Sequence, residues 1–253
     1  MIKRRKICKI HLLFFVIAML SACCIIAYMV YNGTILLNNP SFDDYPIRGV
    51  DVSTYQGNID WEVLSAQGIS FAFIKATEGS SLVDPHFYFN YSEAKKQGIS
   101  IGAYHFFSYD SPAETQAENF INAVTPFEGM LPPVIDLELY GNYEKDPPAR
   151  DYVDKQLGIM LKAIEDHYGL KPIIYATEKS YQLFLSEAYD NYDIWIRDVY
   201  FSPKLSDERD WTFWQYTNRG KLKGYSGREK YIDQNVFCGS KEEFDAFPRY
   251  QSK

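Results

Sequence analysis

Cysteine is scarce in this chain of 253 residues, and its few copies cannot cross-link the main part of the chain. Cys8, Cys23 and Cys24 lie in the first 31 residues, which leaves Cys238 as the single cysteine of the remainder. No disulfide framework can form there, so the fold must depend on its core. The four histidines are scattered and no Cys/His cluster has zinc spacing. We therefore expect neither a structural metal nor a cofactor.

Clustered basic residues are also lacking beyond the N-terminus. The chain has 26 Lys and Arg against 33 Asp and Glu, a formal net charge of -7. A nucleic-acid surface needs grouped Lys and Arg to neutralise phosphates, so we expect no nucleic-acid partner. No glycine-rich phosphate turn follows the first predicted strand, which argues against a dinucleotide-binding fold.

One long apolar run is present, and it lies at the N-terminus. Leu12 to Tyr31 contains no charge over 20 residues, about the length of a membrane-spanning helix, and follows a basic segment. Residues 1–31 are therefore predicted to be a membrane anchor that leaves the remainder outside the cytoplasm. Two alternatives remain, a lipoprotein carried on Cys23 after the Leu-Ser-Ala-Cys box, and an ordinary cleaved signal peptide. Each alternative also exports the remainder.

The rest of the chain alternates short strand patterns with helical patterns. Residues 32–46 form a polar linker, and a single domain over 47–253 is predicted. Gly68, Gly98 and Gly169 each follow a helical segment, where a left-handed cap is expected. Alternation of this kind indicates a parallel sheet, and we predict a single irregular TIM-like (β/α) barrel whose later helices are reduced or missing. The predicted strands are Gly49–Val52, Phe71–Lys75, Ile99–Phe107, Val134–Leu139, Pro172–Tyr175, Tyr192–Ile196 (or Asp193–Arg197), Thr212–Tyr216 and Tyr231–Phe237.

Two carboxylates stand out in the run LPPVIDLELY at Leu131–Tyr140. Asp136 and Glu138 are two positions apart in an apolar strand pattern, so their side chains share one face. No Lys or Arg in the run pairs with them, and a dry core would impose a large desolvation penalty on both. A wet cleft at the carboxyl end of a barrel strand would remove that penalty. One carboxyl could then have a raised pKa and act as an acid.

Other polar and aromatic residues fall at predicted strand ends and are expected at the same cleft. Alternation places His105 on the face opposite Tyr104, so we interpret this histidine as a packing residue. Lys75 and Glu78 are expected at the edge of the cleft. The remaining candidates are Asp51 and Asp233 as carboxylates, with Tyr104, Tyr175, Trp195, Trp214 and Gln215 as substrate-binding groups.

Taken together, these motifs resemble the glycoside hydrolase family 25 lysozymes, the Chalaropsis-type N-acetylmuramidases. The segments that carry the resemblance cover residues 47–237 in family order: RGVDVSTYQGNIDW, FAFIKATEG, IGAYHFF, PPVIDLE, IIYAT, WIRD, WTFWQYT and YIDQNVF. The resemblance implies hydrolysis of the β-1,4 bond between N-acetylmuramic acid and N-acetylglucosamine in peptidoglycan.

The resemblance also implies roles for four carboxylates. Glu138 matches the proton donor, Asp136 its companion, and Asp51 and Asp233 the aspartates of the first and last strands. Asp136, ionised, would raise the pKa of Glu138 and either stabilise positive charge at the anomeric carbon or steady the 2-acetamido group as internal nucleophile. Inverting and substrate-assisted retaining routes both remain open.

Three functional hypotheses follow from the sequence. The first is a monomeric, membrane-attached muramidase whose partner is the peptidoglycan glycan strand. The second is a non-catalytic wall-binding module that keeps the groove, and the third is a chitinase-like glycosidase. The strand lacks the upstream aspartates of the Asp-x-x-Asp-x-Asp-x-Glu pattern, which disfavours the third.

Overall fold

The computed structural model describes residues 2–252, with side chains from residue 11 onward. The chain divides into two compact units after Leu37. The first unit contains helix α1, Ile2–Tyr31, whose His11–Tyr31 part is long and apolar enough to cross a membrane. The side chains of the basic residues that precede this part lie outside the described residues.

The second unit is built on a closed barrel of eight strands. Around the barrel the strand order is β1-β9-β8-β7-β6-β5-β4-β2, and β2 pairs with β1 to complete the circle, while the short β3 extends β2. The predicted barrel architecture is confirmed. The strands are β1 Arg48–Val52, β2 Phe71–Glu78, β3 Leu82–Val83, β4 Ser100–Phe106, β5 Val134–Leu137, β6 Ile173–Thr177, β7 Ile194–Arg197, β8 Phe213–Gly220 and β9 Ile232–Phe237.

Helices cover the barrel unevenly. The long helices follow the early strands, a short helix and one π-helical turn (Tyr181–Leu185) follow β6, and no helix lies between β7 and β9. This agrees with the predicted loss of later helices. Gly68, Gly98 and Gly169 have φ of 85°, 72° and 68°, the left-handed caps that the sequence indicated. The helices are α2 Trp61–Ser65, α3 Phe87–Lys96, α4 Ala113–Ala123, α5 Arg150–Tyr168, α6 Glu178–Ser180 and α7 Lys241–Ala246, with a 3-10 turn at Gly141–Glu144.

Aromatic side chains fill the barrel below the functional edge. Phe71 and Phe73, two positions apart on β2, both point inward and are fully buried. A Cβ atom at Gly49 would lie 2.4 Å from the Phe71 ring, and one at Gly102 would lie 2.6 Å from the Phe73 ring. The two glycines therefore make room for the rings. The next inward position on β2 is Lys75, so the apolar plug ends where the polar layer begins.

The last strand corrects the expectation of a parallel sheet. β9 runs antiparallel to both β1 and β8, whereas the other barrel pairs are parallel. The physical reason is the connection, because β8 and β9 are joined by a hairpin segment rather than by a crossover helix. A second difference is small: β5 ends at Leu137, so Glu138 lies just beyond the strand.

Candidate active site

A cavity of 590 Å³ opens at the carboxyl ends of the parallel strands, and we call it the cleft. It is lined by inward-facing residues that follow the apolar plug along each strand. Eight of the nine candidates from the sequence line it, namely Asp51, Tyr104, Asp136, Glu138, Tyr175, Trp195, Gln215 and Asp233. The alternation of side chains thus brings residues from seven strands to one surface.

Asp51 is the most heavily hydrogen-bonded carboxylate of the cleft. Its Oδ2 accepts from Gln215 Nε2 at 2.8 Å and from Asn235 Nδ2 at 2.8 Å. Gln215 is itself held by Tyr175, whose hydroxyl donates to Gln215 Oε1 at 3.0 Å. Burial raises the pKa of Asp51 above its usual value, and the two amide donors offset part of that rise. These donors stabilise the ionised form.

Asp233 reaches the cleft because β9 runs in reverse. It lies near the amino end of that strand and is paired in register with Asp51 on β1. Gln215 Nε2 also donates to Asp233 Oδ2, at 3.2 Å. Burial and the neighbouring charge of Asp51 raise the pKa of Asp233 well above its usual range. Asp233 is therefore the member of this pair that is more disposed to hold a proton.

Asp136 lies on β5 and Glu138 just after it, across the barrel from β9. Burial raises the pKa of Glu138 to about 7, with Asp51 and Glu144 adding to the rise. Burial, followed by the charge of Glu138, raises the pKa of Asp136 well above its usual range. Burial rather than Asp136 is thus the main cause of the raised pKa of Glu138. Asp136 Oδ1 is buried and has no hydrogen-bond partner within residues 11–252.

Two cations face this group of carboxylates. Lys75 Nζ contacts Glu78 Oε2 at 2.7 Å. Both residues line the cleft, in agreement with the expectation that they lie at its edge. Arg197, at the end of β7, also lines it. Both cations lower the pKa of Glu138, and Arg197 is the stronger of the two. They keep the cleft from carrying an uncompensated cluster of negative charge.

Aromatic side chains close the floor of the cleft. Trp195 stacks on Phe73 with ring centroids 4.6 Å apart, and its Nε1 donates to Asn235 Oδ1 at 2.8 Å. The Tyr175 ring meets Trp195 edge-on at 4.5 Å. Tyr104 is also largely buried, with 9% of its surface exposed. The floor is therefore rigid, and only the edges of these rings reach a ligand.

Trp214 is the ninth candidate, and the expectation that it lines the cleft is wrong. Its neighbours Phe213 and Gln215 face the barrel interior, so alternation turns Trp214 outward. Its indole packs against Tyr45 and Trp211, and its Nε1 donates to the Asp198 carbonyl oxygen at 2.8 Å. Trp214 is a buried packing residue outside the barrel.

His105 behaves as strand alternation predicts. Its side chain is fully buried on the outer face of β4, where Nδ1 lies 2.7 Å from Thr77 Oγ1 and Nε2 lies 3.0 Å from Gln116 Oε1. Burial lowers the pKa of His105 to about 4. The imidazole is therefore neutral and occupied on both nitrogens, which suits packing and not proton transfer.

Two residues that act on the carboxylates of the cleft were not singled out from the sequence: Arg197 lines the cleft, and Asn235 is buried behind it and donates to Asp51. Arg197 is two positions after Trp195, and Asn235 is two positions after Asp233. In each case the earlier residue had been placed at the cleft, so the same alternation would have identified the later one. Within residues 11–252, no group of three or more His, Cys, Asp or Glu side chains could hold a metal ion.

This arrangement offers a carboxyl with a pKa near 7 beside carboxylates in an enclosed groove. Cleavage of a glycosidic bond requires an acid that protonates the leaving oxygen and a negative group near the anomeric carbon. Glu138 can supply the proton because its raised pKa leaves a large protonated fraction at neutral pH.

Comparison with known proteins agrees with this chemistry. Residues 50–225 match the model of the glycosyl hydrolases family 25. A solved family 25 glycosyl hydrolase from Bacillus anthracis is similar in structure, with a TM-score of 0.78 and 56% sequence identity. That match covers 82% of this chain and 96% of the other.

Two curated relatives extend the similarity. The YegX protein of Escherichia coli K12 is 36% identical over 208 residues, which are 80% of this chain and 74% of the relative. Lysozyme M1 of Streptomyces globisporus is 30% identical over 214 residues, 78% of this chain and 70% of the relative.

Proposed function

Because this chain belongs to glycosyl hydrolase family 25 and is a lysozyme-type enzyme acting on peptidoglycan, we propose that Glu138 is its proton donor. The bond cleaved is the β-1,4 linkage between N-acetylmuramic acid and N-acetylglucosamine. The observation that carries the proposal is the pKa of Glu138, raised to about 7 in a cleft lined by further carboxylates. An acid of this strength can protonate a leaving oxygen at neutral pH.

Asp136 acts on the sugar beside the bond that breaks. Its Oδ1 is buried and unpartnered in a wall of the cleft, so it is available to hydrogen-bond a substrate group. The 2-acetamido group of the sugar is a suitable partner, and holding it in place favours the substrate-assisted route, with the acetamido oxygen as internal nucleophile. An inverting reaction, in which a carboxylate activates water, is the alternative.

Asp51, Asp233 and Gln215 form a fixed polar wall opposite Glu138. Asp51, whose ionised form is favoured by two amide donors, places negative charge near the positive charge that develops at the anomeric carbon. Tyr104, Tyr175 and Trp195 shape the floor against which the sugar rings lie.

The N-terminal segment fits an enzyme that works outside the cytoplasm. Helix α1 includes 21 residues long and apolar enough to span a bilayer, and peptidoglycan lies beyond the membrane. The enzyme is therefore a membrane-anchored muramidase, with lipid attachment at Cys23 as the alternative. Carbonate extraction of membranes tests anchoring. A Cys23→Ala variant that leaves the membrane would identify the lipoprotein form, whereas retention in the membrane supports the helix.

The reaction is tested with the products of purified peptidoglycan. Mass spectrometry should find N-acetylmuramic acid at the new reducing ends. Glu138→Gln removes the proton and keeps the shape, so it should lower turnover by about 10²- to 10⁴-fold with a melting temperature no lower than that of the wild type. Glu144→Gln is the matched control, since Glu144 also lines the cleft but is exposed in the 3-10 turn.

Three outcomes would contradict the proposal. Full activity of Glu138→Gln would remove Glu138 from the role of acid. Reducing ends on N-acetylglucosamine would change the bond that is cleaved. Binding to peptidoglycan without release of reducing ends would indicate a wall-binding module, and cleavage of chitin alone would indicate a chitinase-like enzyme.

A further inference from the structure

A basic hairpin lies at the edge of the cleft, contrary to the expectation that the domain lacks clustered basic residues. Residues 219–230, which include the end of β8 and most of the connection to β9, carry five basic residues and one acidic residue, Glu229. The charge of the hairpin is opposite in sign to that of the domain around it. The first 37 residues contain five basic and no acidic residues, which leaves a formal charge of -12 on residues 38–253. The hairpin is thus a local positive region on an acidic domain.

Three cations of the hairpin lie around one tyrosine, and four of its five cations are exposed. Lys230 Nζ and Lys221 Nζ lie 4.9 and 5.8 Å from the centroid of the Tyr231 ring, and Arg219 Cζ lies 5.4 Å from it. Four side chains of the hairpin are exposed and take part in no ion pair within residues 11–252, namely Lys221, Lys223, Arg228 and Lys230. Their charge is available to an external anion.

The hairpin is fastened directly to the rim of the cleft. Glu229 N donates to the Tyr55 carbonyl oxygen at 2.9 Å, and Gly227 N donates to the Gln56 carbonyl oxygen at 3.0 Å. Arg228 Cζ lies 4.2 Å from the centroid of the Tyr55 ring. Tyr55, Gln56 and Asn218 all line the cleft, so positive charge begins within a residue or two of the catalytic groove.

The middle of the hairpin is held by a second set of hydrogen bonds. The Gln67 side chain donates to the Lys223 carbonyl oxygen and accepts from Lys223 N, both at 2.9 Å. Asp60 N donates to the Gly224 carbonyl oxygen at 2.7 Å. These hydrogen bonds fix the backbone of the hairpin on both sides. The backbone that carries the cations is therefore preorganised, which lowers the entropic cost of binding a ligand.

We propose that this basic hairpin binds the carboxylates of the peptide stems on the glycan strand that occupies the cleft, an inference that rests on the function proposed above. A stem of about five residues spans roughly 17 Å when extended, so a stem on a muramoyl residue at the cleft reaches the hairpin. The cleft itself is lined by carboxylates that repel the stems. The hairpin supplies the attraction that directs stems to one side, and peptide-bearing glycan is the favoured substrate class.

The test compares two substrates prepared from one wall sample freed of phosphodiester polymers. One keeps its stems, and an amidase has removed the stems from the other. The full-length Lys221→Glu/Lys230→Glu variant should lose about tenfold in kcat/KM on the first at low salt, mainly through KM, because each exposed ion pair contributes a few-fold. On the second it should stay within about twofold of the wild type. Salt near 1 M should abolish the difference.

Lys155→Glu/Lys162→Glu is the matched control, because it makes the same charge change on exposed positions of α5. It should match the wild type on both substrates. An equal loss on both substrates, no loss on either, or a loss that appears only when phosphodiester polymers are present would overturn the inference and leave the proposed function standing. If the wild type cleaves neither substrate, the proposed function fails and this inference fails with it.

Discussion

Asp51 and Asp233 face each other on antiparallel neighbours β1 and β9, and one side chain, the amide of Gln215, donates to both carboxyls. Two carboxyls that lie close enough to share one donor do not ionise together readily. Asp51 has a second amide donor, Asn235, and this bond favours its ionised form. Asp233 is therefore the carboxyl that more readily holds a proton, and the two residues are not equivalent in spite of their matched positions.

This asymmetry predicts different costs for the two asparagine variants. Asp233→Asn replaces the carboxyl that more readily holds a proton with an amide that can also donate, so kcat/KM should stay within about tenfold of the wild type. Asp51→Asn removes a negative charge that two fixed donors stabilise, and its kcat/KM should fall by about 10²- to 10³-fold. Steady-state kinetics on purified peptidoglycan measure both.

Melting temperatures of the two variants provide the control for folding. Equal losses of activity at equal stability would contradict the assigned protonation. A larger loss for Asp233→Asn than for Asp51→Asn would reverse it, placing the charge on β9.

Much of this site follows from the period of two along a strand. The sequence places Asp136 and Glu138 on one face, and the same rule puts Asp51, Tyr175 and Gln215 at one edge of the barrel. The prediction for Trp214 was wrong because it placed adjacent strand residues, Trp214 and Gln215, at the same cleft. The period of two assigns Trp214 to the face opposite Gln215, and the structure places it on that outer face.

The alternation of side chains could not predict the direction in which each strand runs. The period of two says which side chains share a face, but it does not say whether a strand runs up or down. Asp233 was expected at the carboxyl end of the last strand, and it lies near the amino end of a reversed one. The protonation pattern was also out of reach, because it depends on burial and on Asn235 and Arg197, which come from distant parts of the chain.

Glu138 should set the alkaline limit of activity. Burial raises its pKa to about 7, and the reaction needs its protonated form. The value of kcat/KM should therefore fall tenfold per pH unit above about pH 7. A pH profile from pH 4 to 9 on purified peptidoglycan measures the limit. Activity that stays level to pH 9 would contradict the assignment.

The same pKa predicts a pH-dependent stability difference. The pKa of Glu138 is about 7 in the folded protein against an ordinary value of 4.5, so the fold favours the protonated form. That preference is fully present below pH 4.5 and is lost as the pH rises through 7. Because Glu138→Gln cannot ionise, its melting temperature relative to the wild type should rise across this window and then level off. A constant difference would contradict the raised pKa.

Arg197 should influence the position of the alkaline limit. It lowers the pKa of Glu138, so Arg197→Gln should raise that pKa and move the alkaline limit upward by about one pH unit. Lys75→Met should move it in the same direction by less, because Lys75 is the weaker of the two cations and contacts Glu78. An unchanged limit in both variants would mean that neither charge acts on Glu138.

The two buried tryptophans of neighbouring strands allow a matched test of the barrel's inner and outer faces. Trp195 and Trp214 are each 2% exposed, and each indole donates one hydrogen bond of 2.8 Å. Substitution of either by Phe leaves a cavity and removes a buried hydrogen bond, so each variant should lose about 2–4 kcal/mol of stability. Chemical denaturation measures these losses, and they should be similar.

Activity should separate the two variants. The acceptor of Trp195 is Asn235, whose amide in turn donates to Asp51, so Trp195→Phe loosens a carboxylate of the cleft. We expect about a tenfold loss in kcat/KM, since fixed donors lose effect when their orientation is no longer held. Trp214→Phe should keep wild-type kcat/KM at a temperature where both variants are folded. If Trp214→Phe lost as much activity as Trp195→Phe, the outward placement of Trp214 would have to be abandoned.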